Sequence, residues 1–135
     1  MEGLLIAEQL RLLAGRLPAE RLPWRFPDGR TASLPLVGDL TLQLVSRPPA
    51  PYLRVQAGAP EGSRPHTPFQ EQLRARAGGA LLAVTQPQRD RVVRLAFAAG
   101  AGFVPTPPVE LVAELTGRNA NLILLDERGV IIGVE

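Results

Sequence analysis

The sequence predicts an α+β fold that is mostly β: a curled antiparallel sheet or β-sandwich carrying two helices. Three observations predict it. Short apolar runs recur at the spacing of strands, each bounded by turn residues. Only two segments carry a helical period or a helix-start signal. Gly (13 residues) and Pro (14) punctuate the 135-residue chain often, but apolar runs separate them, which means many turns rather than disorder.

The first helix is expected over residues 3–17. Ile6, Leu10, Leu13 and Leu17 share one helical face, Leu5 and Leu12 widen it, and Gly15 and Pro18 end it. Leu22, Trp24 and Phe26 then alternate with Arg21, Pro23 and Arg25, a strand period that Pro23 confines to a sheet edge. Asp28-Gly29 is a hairpin turn signal. Strands are expected at 31–37 and 40–46 around Gly38-Asp39, and at 52–56 after the break Arg47-Pro48-Pro49-Ala50-Pro51. A polar Gly/Pro loop covers 57–66. Thr67-Pro68-Phe69-Gln70 opens the second helix, with Thr as cap, Pro at the first turn and Gln three residues after the cap. That helix should stop at Gly78-Gly79. Strand-like runs follow at 80–86, 91–98, 110–116 and 121–126, with a last one from Val130 after Glu127-Arg128-Gly129.

Composition bounds the chemistry. The length suits one domain. Cysteine is absent, which removes disulfides, thiolate metal sites and a thiol nucleophile. The one histidine, His66, has no ligand cluster around it in sequence and should be exposed in a loop. All 15 basic residues are arginine, so no Schiff-base or P-loop lysine exists. The pI of about 10.3 overstates basicity, because little titrates between pH 7 and 10 and the net charge is only +2. Polyanion binding must therefore come from local arginine clustering. The start MEGLLIAEQL lacks a basic region and does not read as a signal peptide, and no apolar run approaches the ~20 residues that span a bilayer. A cytoplasmic location without membrane contact is expected. The end straight after VIIGV reads as a fragment of a longer protein.

Two turns and one group of arginines are candidates for function. Gln86-Pro87-Gln88-Arg89-Asp90-Arg91 sets an acid beside a base between two apolar runs. An arginine there can bind phosphate or a base edge, with the aspartate accepting from an amine or holding the arginine. The plainer alternative is a solvated hairpin tip with a weak surface pair. Thr116-Gly117-Arg118-Asn119-Ala120-Asn121 supplies a tight backbone, a donor fork and amides that tolerate left-handed geometry, or is simply a turn. Arg74, Arg76, Arg89, Arg91, Arg94 and Arg118 would form one basic face if the second helix lay near both turns; otherwise they solvate separate surfaces. Trp24 and Phe26 are expected in the core.

The order of these segments resembles the N-terminal domain of the NFACT proteins, the RqcH/NEMF family, whose bacterial members have long been labelled fibronectin-binding proteins. The resemblance runs along the whole chain. Four stretches carry it: Met1-Glu2-Gly3-Leu4-Leu5, the helix Phe69 to Gly79, the Asp-Arg turn ending Asp90-Arg91-Val92, and Glu114 to Asp126 with its Gly-Arg-x-x-Asn followed by an apolar strand and Asp. The last is the most specific. This chain departs from the pattern at Asn119-Ala120, where His-Ser is common, and at Glu2, where Asp is usual. The second helix also lacks the family's Cys-Met and Lys-His.

The resemblance implies a role in ribosome-associated quality control. Family members bind a large ribosomal subunit obstructed by peptidyl-tRNA, recruit alanyl-tRNA and promote untemplated C-terminal alanine tails. The family's essential Asp-Arg pair falls on Asp90 and Arg91. Arg89, Arg118, Asn119, Asn121, Gly117 and Glu2 complete the implied tRNA- and ribosome-binding set. The implied partners are alanyl-tRNA, the large ribosomal subunit and the remaining domains of a full-length chain. Neither cofactor, metal nor catalytic residue is implied. The family's domain is also similar in fold to the N-terminal domain of formamidopyrimidine-DNA glycosylases. That chemistry needs an N-terminal proline and a lysine, and here position 2 is Glu and lysine is absent. A glycosylase-like nucleic-acid-binding domain without catalysis and a fibronectin-binding surface adhesin are the rival expectations.

Overall fold

The computed structural model describes residues 2–46, 51–58, 61–62, 64–100, 105–116 and 121–135. Its elements are α1 (Gly3–Arg11), β1 (Arg25–Asp28), β2 (Thr31–Leu36), β3 (Leu40–Val45), β4 (Tyr52–Ala57), α2 (Pro68–Arg76), β5 (Leu81–Thr85), a 3-10 turn (Pro87–Arg89), β6 (Val92–Phe97), β7 (Val109–Glu114), β8 (Asn121–Leu125) and β9 (Ile131–Val134). The strands form two antiparallel meanders, β1-β2-β3-β4 and β5-β6-β7-β8-β9.

Each sheet turns one face inward. In the first, Ala32, Leu44 and Leu53 lie in one row and Leu34, Leu42 and Val55 in the next but one. In the second, Val93, Leu95 and Phe97 of β6 face the core with Leu111 and Ala113 of β7 and Leu122 and Leu124 of β8. These residues, with Ile6 and Leu13 of the N-terminal segment and Phe69 and Leu73 of α2, make one continuous core. Trp24 and Phe26 are buried in it, stacked at 6.3 Å, and Trp24 Nε1 donates to the Ala77 carbonyl at 3.0 Å. A buried indole N–H needs such a partner, and this one ties β1 to the end of α2.

Two helices close the seams between the sheets. On one side Gln9 of α1 accepts from the Val55 N–H of β4 at 2.9 Å, while the start of α1 meets the turn after β5. On the other side α2 packs Phe69 and Gln72 against Gly133 of β9. The Thr67 hydroxyl caps α2 by accepting from Gln70 N–H at 3.1 Å. The Gln70 side chain reaches back to the His66 N–H rather than to the cap's own, and donates to the Asp28 carbonyl. A buried glutamine thus fixes α2 to the β1–β2 turn. His66 is exposed as expected, but its Nε2 lies 2.9 Å from the Phe26 carbonyl.

The first helix differs from expectation. It ends at Arg11, and residues 12–16 tighten into i→i+3 turns in which Leu13 N–H donates to the Leu10 carbonyl and Arg16 N–H to that of Leu13. Leu5 and Leu12 are half exposed and do not widen the buried stripe. The shortened helix frees the next segment to run across both sheets. Ala19 exchanges two backbone hydrogen bonds with Leu81, while Leu22 N–H donates to the Pro35 carbonyl and Val37 N–H to that of Glu20. Arg21, half-buried there, donates from Nε to the Gly79 carbonyl, and burial lowers its pKa.

Candidate nucleic-acid interface

Alternate turns of a meander lie at the same end of its sheet. The β5–β6 and β7–β8 connections of the second sheet therefore share one tip, and the register shows it: Val92, Glu114 and Asn121 form a cross-strand row there. Leu115 N–H donates to the Arg91 carbonyl at 2.8 Å, joining the root of the second connection to the first.

The 86–91 turn is tightly built. Pro87 opens a single 3-10 turn, Gln88 sits in the left-handed region at φ 51°, and Asp90 N–H donates to the Pro87 carbonyl at 3.0 Å. A non-glycine residue with that φ is uncommon and is held only by surrounding structure. Here Gln86 supplies it. Its Nε2 donates to the Asp90 carbonyl at 2.6 Å and to the Gly3 carbonyl at 2.8 Å, so one amide pins the turn to the N-terminus of α1.

Asp90 and Arg91 are both exposed, and they do not pair with each other through their charges. Asp90 Oδ1 accepts from the Arg91 backbone N–H at 2.7 Å. Among the described residues the Arg91 guanidinium has no hydrogen bond or ion pair. A cation held on an ordered turn and left unpaired can accept a phosphate or a base edge without first breaking another interaction.

The other expected residues distribute unevenly. Glu2 occupies the N-cap position of α1, beside the turn, and makes no capping bond. Asn121 opens β8, half-buried in the tip row. Arg89 closes the 3-10 turn. Gly117, Arg118 and Asn119, with Ala120, lie outside the described residues. The single basic face does not assemble among the described residues: Arg74 pairs with Glu71, Arg94 with Glu110 on the outer sheet face, and Arg76 acts on Asp126 in the β8–β9 turn, at the far end of the sheet. The reason is the placement of α2, which is clamped to β1 and β9 and not to the tip. Gln86 is the residue that sequence reasoning missed; a glutamine before Pro carries no signal of its two hydrogen bonds.

A family model of NFACT N-terminal and middle domains matches residues 37–134, which include the Asp90–Arg91 turn, Asn121 and most of the strands. The chain belongs to the NFACT family. Solved structures agree on the fold of this NFACT domain. The N-terminal domain of the fibronectin-binding protein PavA from Streptococcus pneumoniae superposes with a TM-score of 0.82 at 18% identity, over 99% of this chain and 55% of that one. The N-terminal part of the fibronectin/fibrinogen-binding protein FBPS from Streptococcus suis gives 0.81 at 17% identity, over 99% and 52%. The fibrinogen-binding protein from Staphylococcus aureus gives 0.76 at 21%, over 98% and 49%. The chain thus spans about half the length of these structures. No curated protein sequence matches it. Among the described residues no helix is long and apolar enough to cross a membrane, and no group of three or more potential ligands could hold a metal ion.

Proposed function

We propose that this NFACT domain is a non-catalytic, cytoplasmic RNA-binding module that contacts tRNA through the Asp90–Arg91 turn. Within a full-length protein it serves a ribosome-associated quality control factor that brings alanyl-tRNA to obstructed large subunits for alanine tailing. The observation that carries the reading is the Arg91 guanidinium, without a hydrogen bond or ion pair among the described residues, on a turn that Gln86 fixes to the start of α1. Arg91 contacts a phosphate or base edge; Asp90 accepts from a base amine while its Oδ1 holds the Arg91 N–H. Asn121 and Glu2 flank the turn, and Arg89, Gly117, Arg118 and Asn119 join the proposed binding set on the family resemblance alone. The test is tRNA binding by the chain and by its Asp90→Ala/Arg91→Ala variant at two salt concentrations. Salt-sensitive binding that the variant loses supports the reading, and equal binding by both proteins overturns it.

The names of the three structural neighbours favour a second reading, attachment to fibronectin or fibrinogen. Binding to immobilised fibronectin that is unchanged in the Asp90→Ala/Arg91→Ala variant, with no tRNA binding, would favour it.

A further inference from the structure

The outer face of the first sheet carries a buried polar network. Arg25, Ser33, Gln43 and Arg54 form one cross-strand row over β1, β2, β3 and β4. Ser33 is fully buried and Gln43 only 6% exposed, although both belong to the face turned away from the core. Their polar atoms are spent on one another and on β4. Gln43 Nε2 donates to Ser33 Oγ at 3.1 Å, and Gln43 Oε1 accepts from Tyr52 Oη at 3.3 Å and from Arg54 Nη2 at 3.2 Å. Arg54 also lies over the Tyr52 ring, 5.5 Å from its centroid. A buried amide thus holds a phenol and a guanidinium against one another, and it does so in advance of any ligand.

Beside that surface lies a recess of about 260 Å³ lined by Gln9, Tyr52, Leu53 and Arg54. Gln9 uses its Oε1 on the Val55 N–H; its Nε2 has no partner among the described residues and is an available donor. Leu5 and Leu12, four residues before Gln9 and three after it, are its neighbours on the helix surface and are half exposed. The recess therefore offers two planar groups and a neutral donor. Arg54 has no carboxylate partner among the described residues.

We propose that this recess between α1 and β4 binds an unpaired nucleobase of single-stranded RNA, with Tyr52 and Arg54 as the stacking surface and Gln9 Nε2 donating to the base edge. Unstacked bases are recognised on aromatic rings and guanidinium planes, with edge contacts from amides. The position fits a strand that also reaches the Asp90–Arg91 turn: the same helix touches the turn at Gly3 and the recess at Gln9, about 9 Å further along its axis. The inference rests on the RNA-binding reading and adds a site to it.

The test uses the one tyrosine of the chain as its reporter. A short single-stranded oligoadenylate is titrated into the protein while the Tyr52 ring and the backbone amides are followed by NMR, and affinity is measured for Tyr52→Ala, Tyr52→Phe and Asp90→Ala/Arg91→Ala. We expect upfield shifts of the Tyr52 ring, about ten-fold weaker binding in Tyr52→Ala, and near-normal binding in Tyr52→Phe. Shifts at the 86–91 turn with an unmoved Tyr52 ring and unchanged affinity in Tyr52→Ala overturn the inference and leave the turn assignment standing. Tyr52 shifts with unchanged affinity in Asp90→Ala/Arg91→Ala support the recess as a site that binds without the turn. No binding of the oligoadenylate at either place overturns the inference, while the tRNA measurement decides the turn.

Discussion

The Gln86 side-chain amide donates to the Gly3 carbonyl at 2.8 Å, so the candidate turn is fastened to a helix that lies more than eighty residues earlier in the chain. The same nitrogen holds the Asp90 carbonyl. Gln86→Leu keeps the bulk and removes both bonds. We expect a loss of about 1–2 kcal/mol in urea unfolding, two modest hydrogen bonds near the surface, and weaker tRNA binding because the turn is no longer preorganised.

The Asp90→Ala/Arg91→Ala variant should fold normally. Both side chains are exposed and neither joins the core, so stability should stay within about 0.5 kcal/mol of the parent. The salt dependence of tRNA binding should become shallower, by roughly one unit of logarithmic slope for each phosphate that is no longer neutralised. Denaturation curves and binding isotherms at several salt concentrations check the two halves.

Gly79→Ala should be severely destabilising. A Cβ built there would lie 2.0 Å from the Ala98 carbonyl oxygen, a backbone atom that cannot swing away. Strands β5 and β6 would have to separate where Ala98 N–H donates to the Ala80 carbonyl. A cost of about 3 kcal/mol or more is expected, read as a fall in the thermal midpoint. Gly129→Ala makes a useful contrast: no atom crowds its Cβ, and the cost there comes from φ 79° alone.

Two aspartates should make the fold acid-sensitive. The backbone N–H groups of Val130 and Arg128 hold the Asp126 carboxyl below the ordinary carboxylate range. At Asp28 burial pushes the pKa up, but hydrogen bonds from Arg30 and Thr31 together outweigh it and the net direction is down. A carboxylate whose folded pKa is depressed binds protons more readily when unfolded. Its stabilisation is therefore complete above the unfolded value of about 3.9 and is lost as pH falls through the lower folded value. Stability should drop across that acid window, and Asp28→Asn and Asp126→Asn should each flatten the drop while lowering stability near neutrality. Urea melts at a series of pH values measure it.

The fold was legible where local chemistry decides it. The strand runs around Gly38-Asp39, the Thr67 cap and the Gly78-Gly79 stop depend on neighbours in sequence, and their elements fall within a residue or two of expectation. The first helix ends short of the expected Leu17: Leu13 and Leu17 keep the helical period, but the strap that follows draws the chain into hydrogen bonds with residues 35, 37 and 81. The candidate site divides the same way. Asp90 and Arg91 stand out as an adjacent acid and base on a turn. Gln86, Gly3 and the Ser33–Gln43–Arg54 row become visible only in three dimensions, because the interactions that define them join distant elements.

The strap at residues 19–22 also sets how the molecule comes apart. It is hydrogen-bonded to β5 on one side and to the end of β2 on the other. Neither meander can open at that edge without releasing the other, so the sheets should melt in one transition, and the amides of Ala19 and Leu81 should exchange only as fast as the whole domain unfolds. Assembly meets the same constraint in reverse. Each meander can zip from neighbouring hairpins, but the Ala19–Leu81 pairing closes a loop that contains all of the first sheet. It is a late latch, and a domain without it should hold its two halves as separately fraying units.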